Sequence, residues 1–322
     1  MFNEFNKTGP AQRGRLFTQR QNNTAMIDPM KFWKDSVSTG IRLITRIFEK
    51  GERAGDLEIQ QLQNFPSAHL GREVRVDVFL PPQYYDRSGK QYPVLFFNDG
   101  QDMEMTGMAD TLQRLYGAAQ LRHLVVIAVH AGDRIQEYGT AGRPDYKNRG
   151  SKAAAYNRFL LEELLPALRK RYRLSEKPED AAFAGFSLGG LSAFDIAWNH
   201  PQHFSKIGVF SGALWWRHTA FSPQDPDEHR IMHEVVRESQ KRAGMRFWFQ
   251  CGTNDETDDR NGNGIIDSID DTLDLMKALE EKGYRDGRDI TYVEVQGGEH
   301  NHQTWAKVLP DFLQWAFGKP HE

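Results

Sequence analysis

The apolar positions of this chain change their period along its length. Between residues 29 and 50, Trp33, Val37, Ile41, Ile44 and Phe48 recur three or four apart, with Lys34, Arg42, Arg46 and Lys50 among them. That spacing predicts an amphipathic helix, with Asp28 as N-cap and Pro29 at its first position. A basic amphipathic helix can lie on a membrane surface, but packing on its own domain is the commoner use of such a face. From about Leu57 the pattern differs. Val74, Val76, Val78 and Leu80 alternate with polar residues, which predicts a half-buried strand ended by Pro81-Pro82. The continuous apolar runs 92–97 and 124–129 predict strands covered on both faces. Further strands are expected at 180–184, 206–210, 245–251 and 290–295, and helices at 153–168, 191–198 and 305–317.

Paired strands first, then strands alternating with helices, predict an α/β fold with a mostly parallel central sheet flanked by helices. That domain is expected over 56–322. Residues 1–55 are expected as an N-terminal extension, made of a flexible start rich in Asn, Gln, Arg and Thr and then the helix over 29–50. No internal repeat or low-complexity linker divides the larger part.

Composition narrows this picture modestly. The 322 residues suffice for a large core, and a formal charge of -3 gives no footprint for nucleic acid. Cys251 is the only cysteine, so no intrachain disulfide forms, and its neighbours Phe247-Trp248-Phe249 predict a packing role. No apolar run is long enough to span a membrane. Met1 to Thr24 lacks the apolar core of a secretory signal. The expected location is cytoplasmic if Met1 is the true start, and secreted if a leader has been removed. Oligomeric state is not readable from the sequence.

The candidate chemistry centres on Gly185-Phe186-Ser187-Leu188-Gly189, a G-x-S-x-G run followed by Gly190. A serine that attacks a carbonyl must stand clear of the backbone on a sharp strand-to-helix turn, with small residues on either side. The expected strand before it and helix after it supply that context. A serine also needs a base and a group that orients the base. Two later loops offer them. Gly252-Thr253-Asn254-Asp255-Glu256 follows one strand and Gly297-Gly298-Glu299-His300 follows the next, so both loops fall at the sheet edge that carries the elbow. His302 rivals His300, and Glu256 rivals Asp255. The double glycine before His300 and the shorter carboxylate nearer the strand end favour His300 and Asp255. An oxyanion needs two N–H donors. Leu188, next after the nucleophile, supplies one, and Gln101 in the Asn98-Asp99-Gly100-Gln101-Asp102 turn is the candidate for the other.

These segments carry a resemblance. Asp99-Gly100-Gln101, Gly185–Gly190, 210–216, 251–256 and 297–305 together resemble the putative-esterase family of α/β-hydrolases, over roughly residues 70 to 318. That family includes enterochelin esterases, feruloyl esterases and S-formylglutathione hydrolases. The resemblance implies the α/β-hydrolase fold, a triad of Ser187, Asp255 and His300, and a small-molecule ester as substrate. Many relatives have an aromatic residue where this chain has His302, and residues 1–55 have no counterpart in the family core. Mycolyltransferases share the fold and machinery, so acyl transfer is the alternative to hydrolysis. A non-catalytic binding protein is a distant third reading.

Three tryptophans are candidates for the substrate pocket: Trp215 and Trp216 just past a strand end, and Trp305 after the histidine loop. Capping the core is the alternative for the Trp215-Trp216 pair. Arg134, Glu137, Tyr138, Tyr146 and Arg149 are expected as a solvated lid, with binding of a polar or acidic part of the substrate as the alternative. The chemistry requires no cofactor. One further motif stands apart. Residues 259–270 fit a calcium loop, with Asp259, Asn261 and Asn263 at positions 1, 3 and 5, Gly264 at 6, the carbonyl of Ile265 at 7 and Asp267 at 9. Asp270 stands at position 12, where the longer Glu is usual, and the run resembles dockerin loops more than calcium sensors. A structural calcium ion there would steady nearby Asp255. The alternative is a tight Asn-Gly-Asn-Gly turn, with Asp270 or Asp271 capping a helix over 272–282.

Overall fold

The structure is a computed structural model that describes residues 56–319 except 87, together with the backbone of 43–47. Its centre is a nine-stranded sheet: β1 Leu43–Ile47, β2 Glu58–Ser67, β3 Arg72–Leu80, β4 Val94–Asn98, β5 Val125–Val129, β6 Ala181–Phe186, β7 Lys206–Phe210, β8 Arg246–Asn254 and β9 Ile290–Glu299. The strands lie in the order β1-β2-β3-β5-β4-β6-β7-β8-β9. The β1, β2, β3 and β5 neighbours pair antiparallel, and every pairing from β5 through β4 to β9 is parallel. This is the mostly parallel sheet that the alternating pattern predicts.

Successive residues of a strand face opposite sides, so the central strands feed two cores. Phe96 and Phe183 join Phe194, Trp198 and Phe247 on one face. Phe97, Phe186 and Phe210 join Trp305, Leu309 and Phe312 on the other. Helices α1 (Met108–Gly117) and α6 (His302–Phe317) cover the second face. The first is covered by α2 (153–171, with a π-turn at Phe159–Leu164), α3 (Leu188–Asn199), α4 (Ile231–Glu238) and α5 (Asp267–Glu281).

One expectation changes. The helix over 29–50 is a strand where the chain is described: Leu43–Ile47 pairs antiparallel with β2, Ile44 opposite Gln61. The exposed edge of β2 presents unpaired backbone groups, and a segment with β-branched Ile44, Thr45 and Ile47 fits that edge. The rest of the expected helix and the flexible start lie outside the described residues. Strand β2 itself lacks a clean apolar period. Its buried Gln60 is accommodated because Tyr172 donates to its side-chain oxygen (2.8 Å) and its amide donates to Tyr85 (2.7 Å). A register shift between Leu62 and Phe65 further breaks the alternation.

Candidate active site

Ser187 caps the N-terminus of α3 with φ 52° and ψ −121°, a conformation disfavoured for any side chain but glycine. It holds because its neighbours leave no alternative. The Ser187 N–H donates to the Phe210 carbonyl (2.8 Å), and its own carbonyl accepts from Gly190, Leu191 and Ala213. The turn is so tight that a Cβ on Gly185 would collide with the backbone of Gly189, and one on Gly190 would stand 2.9 Å from the Gly185 oxygen. These are the contacts that demand glycine at the elbow. Ser187 remains half-buried, open on one side.

Gly189 faces a second constraint. A Cβ there would lie 2.5 Å from Oδ2 of Asp99, so the elbow helix rests directly on the loop after β4. That loop is built around a buried charge. Asp99, in the left-handed region at φ 60°, is wholly buried and receives both arms of the Arg134 guanidinium, at 2.8 and 2.9 Å. Arg134 also donates to the Phe186 carbonyl at 3.2 Å, one residue before Ser187. The Asp99 N–H donates to Tyr138 (2.9 Å). Asn98 donates to the Gly189 carbonyl (2.9 Å) and accepts from Tyr156 (2.7 Å). Such fully bonded buried networks fix one arrangement. Gln101 follows in a short 3-10 turn, Gly100–Asp102. Its N–H and that of Leu188 stand at the starts of helical turns, where amides have no acceptor within the turn.

Arg134, Glu137 and Tyr138 are therefore not a solvated loop. Glu137 is buried and paired with Arg72, Tyr138 is fully buried, and Arg149 lies over Trp215 and Trp216 at 5.0 and 4.9 Å. Arg134 and Glu137 have partners distant in sequence, which no local pattern reveals, whereas Arg149 pairs with Asp145 four residues away. Of this group Tyr146 is exposed, as expected.

Asp255 and His300 leave neighbouring strands at one level, because Asn254 of β8 pairs with Glu299 of β9. The register shift just before this pair accommodates Gln296-Gly297-Gly298, with Gly297 at φ 68°. A Cβ on Gly252 would strike the Gly298 carbonyl, so the two loops pack backbone to backbone. Burial raises the Asp255 carboxyl above its usual range, opposed by the Gly252 backbone, Ser211 and the nearby His300. Ser211 and Gly252 face this carboxyl without closing a hydrogen bond of normal geometry. His300 reaches solvent, yet the protein packed around its ring lowers its pKa. Asp255 opposes that shift and the charge of Arg134 adds to it.

The rivals point elsewhere. The Glu256 carboxyl turns to the backbone of Ser268 and the acidic start of α5. His302 stands 3.4 Å from Asp102, in the 3-10 turn after β4. Trp305 packs against both histidines, whose rings each lie edge-to-face with it at 5.3 Å between centres. Its indole stacks on Phe186 at 4.6 Å and donates to Ser211 (2.9 Å). Trp305 is thus a buried post behind His300, and Trp216 is wholly buried in the core. Neither forms an open pocket wall, because aromatic area of that size is most stable away from water. Trp215 is half-buried at the edge.

The 259–270 loop turns tightly, with Gly262 and Gly264 at φ 71° and 85°. Asp259 accepts from the amides of Gly262, Asn263 and Gly264, and Asn261 and Asn263 both donate to Asp270, at 2.8 and 3.3 Å. Asp259, Asn261, Asn263 and Asp270 thus converge, and the Ile265 amide donates to the Asn263 side chain. Asp267 is engaged by Arg260, through its backbone N–H at 2.9 Å and its guanidinium at 3.3 Å. The helix that follows begins at Asp267, so Asp270 and Asp271 lie inside it and do not cap it.

Comparison with known proteins agrees with this architecture. The family model described as "Putative esterase" matches residues 67–316. Diacylglycerol acyltransferase/mycolyltransferase Ag85A of Mycobacterium leprae is 29% identical over 294 residues, which cover 82% of this chain and 85% of that protein. A ferulic acid esterase structure superposes with a TM-score of 0.62 at 19% identity, covering 82% of this chain and 98% of its own. The enterobactin esterase FES of Shigella flexneri gives a TM-score of 0.62 at 20% identity, over 83% of this chain and 60% of that one. No helix among the described residues is long and apolar enough to cross a membrane. The fold is that of the α/β-hydrolases, and the chain belongs to the putative-esterase family of carboxylic ester hydrolases.

Proposed function

We propose that the chain hydrolyses a small-molecule carboxylic ester through a triad of Ser187, His300 and Asp255. The observation that carries this reading is the shared sheet edge: a strained serine after β6, and an acid and an imidazole leaving β8 and β9 at paired positions. His300 takes the Ser187 proton as its Oγ attacks the carbonyl carbon. The N–H groups of Leu188 and Gln101 receive the oxyanion. Collapse expels the alcohol, protonated by His300, and leaves an acyl-enzyme. Water, deprotonated by His300, then releases the acid and frees Ser187. Asp255 keeps His300 in the useful tautomer. In this reading Trp215 is the tryptophan that borders the substrate.

The base must be neutral to act. Burial and Arg134 both disfavour the imidazolium, so His300 stays neutral to lower pH than an ordinary histidine. The acid limb of kcat/KM is expected below the unperturbed value of about 6.5. Initial rates with p-nitrophenyl acetate across pH check this; a limb above that value contradicts it.

The likeness to an acyltransferase favours one second reading, in which an alcohol acceptor takes the place of water. Product analysis with an added sugar acceptor separates the two. Free acid alone supports hydrolysis, whereas a new sugar ester supports transfer.

The 259–270 loop enters the proposal as a structural calcium site, held by Asp259, Asn261, Asn263, Asp270 and the carbonyl of Ile265. Calcium is expected to raise the melting temperature of chelator-stripped protein and chelator to lower it. A flat calcium titration by calorimetry removes the ion from the account.

A further inference from the structure

A second cluster of ligating groups lies on the loop after β7, apart from Ser187, Asp255 and His300. Arg217 and Arg230 form an antiparallel bridge, and the adjacent His218 N–H donates to the His229 carbonyl at 3.1 Å. This brings the two imidazoles side by side at the neck of the loop over 219–228, their ring centres 4.9 Å apart. Glu234, from the first turn of α4, reaches up to both. Its Oε1 lies 2.8 Å from His218 Nε2 and 4.0 Å from His229 Nδ1. One ligand atom from each of the three residues lies within 4.8 Å of the other two. All three are half-buried, so the cluster is open to solvent while its backbone is held.

We propose that His218, His229 and Glu234 bind a divalent cation of the zinc class. Two imidazoles and one carboxylate are a ligand set that suits Zn²⁺ and leaves a fourth position for water or an anion. Bonds of about 2.0–2.2 Å in a tetrahedron place ligand atoms roughly 3.4 Å apart, so movements of about an ångström close the site. The groups behind the ligands have the form that metal sites use. Thr219 Oγ1 lies 2.9 Å from His218 Nδ1, which leaves Nε2 as the ligating nitrogen. Arg143 pairs with Oε2, the second oxygen of Glu234, and so directs Oε1 toward the histidines.

Entry of the ion replaces the His218–Glu234 hydrogen bond with bonds from both side chains to the metal. The bound ion fastens both ends of the 219–228 loop to α4. This loop follows Trp215 and Trp216 off the strand beside the elbow strand, and the metal sets how firmly it is held.

The test is titration of the chelator-stripped full chain with ZnCl₂ by calorimetry, and with CoCl₂ by visible absorption. Expected are one ion per chain at this cluster and the intense d–d bands of four-coordinate cobalt. His229→Ala, at a side chain 40% exposed, should weaken both signals roughly 100-fold or more with unchanged circular dichroism. Glu234→Gln should weaken them similarly, and His302→Ala, outside the cluster, should leave them in place. Absence of saturable binding to the wild-type chain overturns the proposal. So does binding that survives undiminished in both His229→Ala and Glu234→Gln, which would assign the ion to other groups.

Discussion

Ser187→Ala is expected to abolish turnover of p-nitrophenyl acetate while leaving the fold intact. Losing a triad nucleophile costs roughly a millionfold in kcat in the best-studied serine hydrolases, with a residual rate from the oxyanion donors and binding alone. Folding should survive because the hydrogen bonds described at Ser187 are made by its backbone, to Phe210, Gly190, Leu191 and Ala213. Alanine meets the same φ of 52° as serine, so the strain of the elbow is unchanged. Steady-state rates, with thermal melting as a control for folding, check both halves. Wild-type activity that persists in the mutant would move the nucleophile elsewhere.

Arg134→Ala should have the next largest effect, and it should act in two ways. The Asp99 carboxylate is wholly buried and Arg134 is its bidentate partner. Removing one member of such a pair strands a charge away from water, at a cost of about 3 kcal/mol, near the low end of the usual range because the arginine is partly exposed. Denaturant unfolding reads that loss. Asp99 also sets the turn that presents Gln101 and abuts Gly189, so kcat should fall as the oxyanion donors shift. The second effect is electrostatic. Without the Arg134 charge, the His300 imidazolium is less disfavoured, so the acid limb of kcat/KM should move to higher pH. A merely structural role would lower stability without moving that limb. Arg134→Lys keeps the charge and loses the fork, so it should restore the pH limb more fully than the stability.

The chain announces its sheet and its elbow clearly because both rest on local patterns. Apolar runs mark the strands from Val94 onward, and the glycines around Ser187 answer steric demands within a few residues. The loops carrying Asp255 and His300 are legible for a similar reason: each follows a readable strand. The fold and the family are borne out. β2 escapes notice because Gln60 is buried by tyrosines far along the chain. Residues 43–47 show helical spacing yet form an edge strand, since the partner edge outweighs the local period. Arg134 is the sharpest omission. A charged loop residue reads as solvated until its buried partner, 35 positions away, is in view. Trp216 and Trp305 show the converse. Their position suggests a pocket, but burial assigns one to the core and the other to the support of His300.

The most direct measurement is covalent labelling of the full chain with a fluorophosphonate, read by intact mass and peptide mapping. Such a probe reacts with a serine only where a base and an oxyanion site activate it. The account predicts one adduct per chain, on the peptide that carries Ser187, lost in Ser187→Ala and strongly slowed in His300→Ala. An unlabelled wild-type chain, or an adduct on another residue, would contradict it.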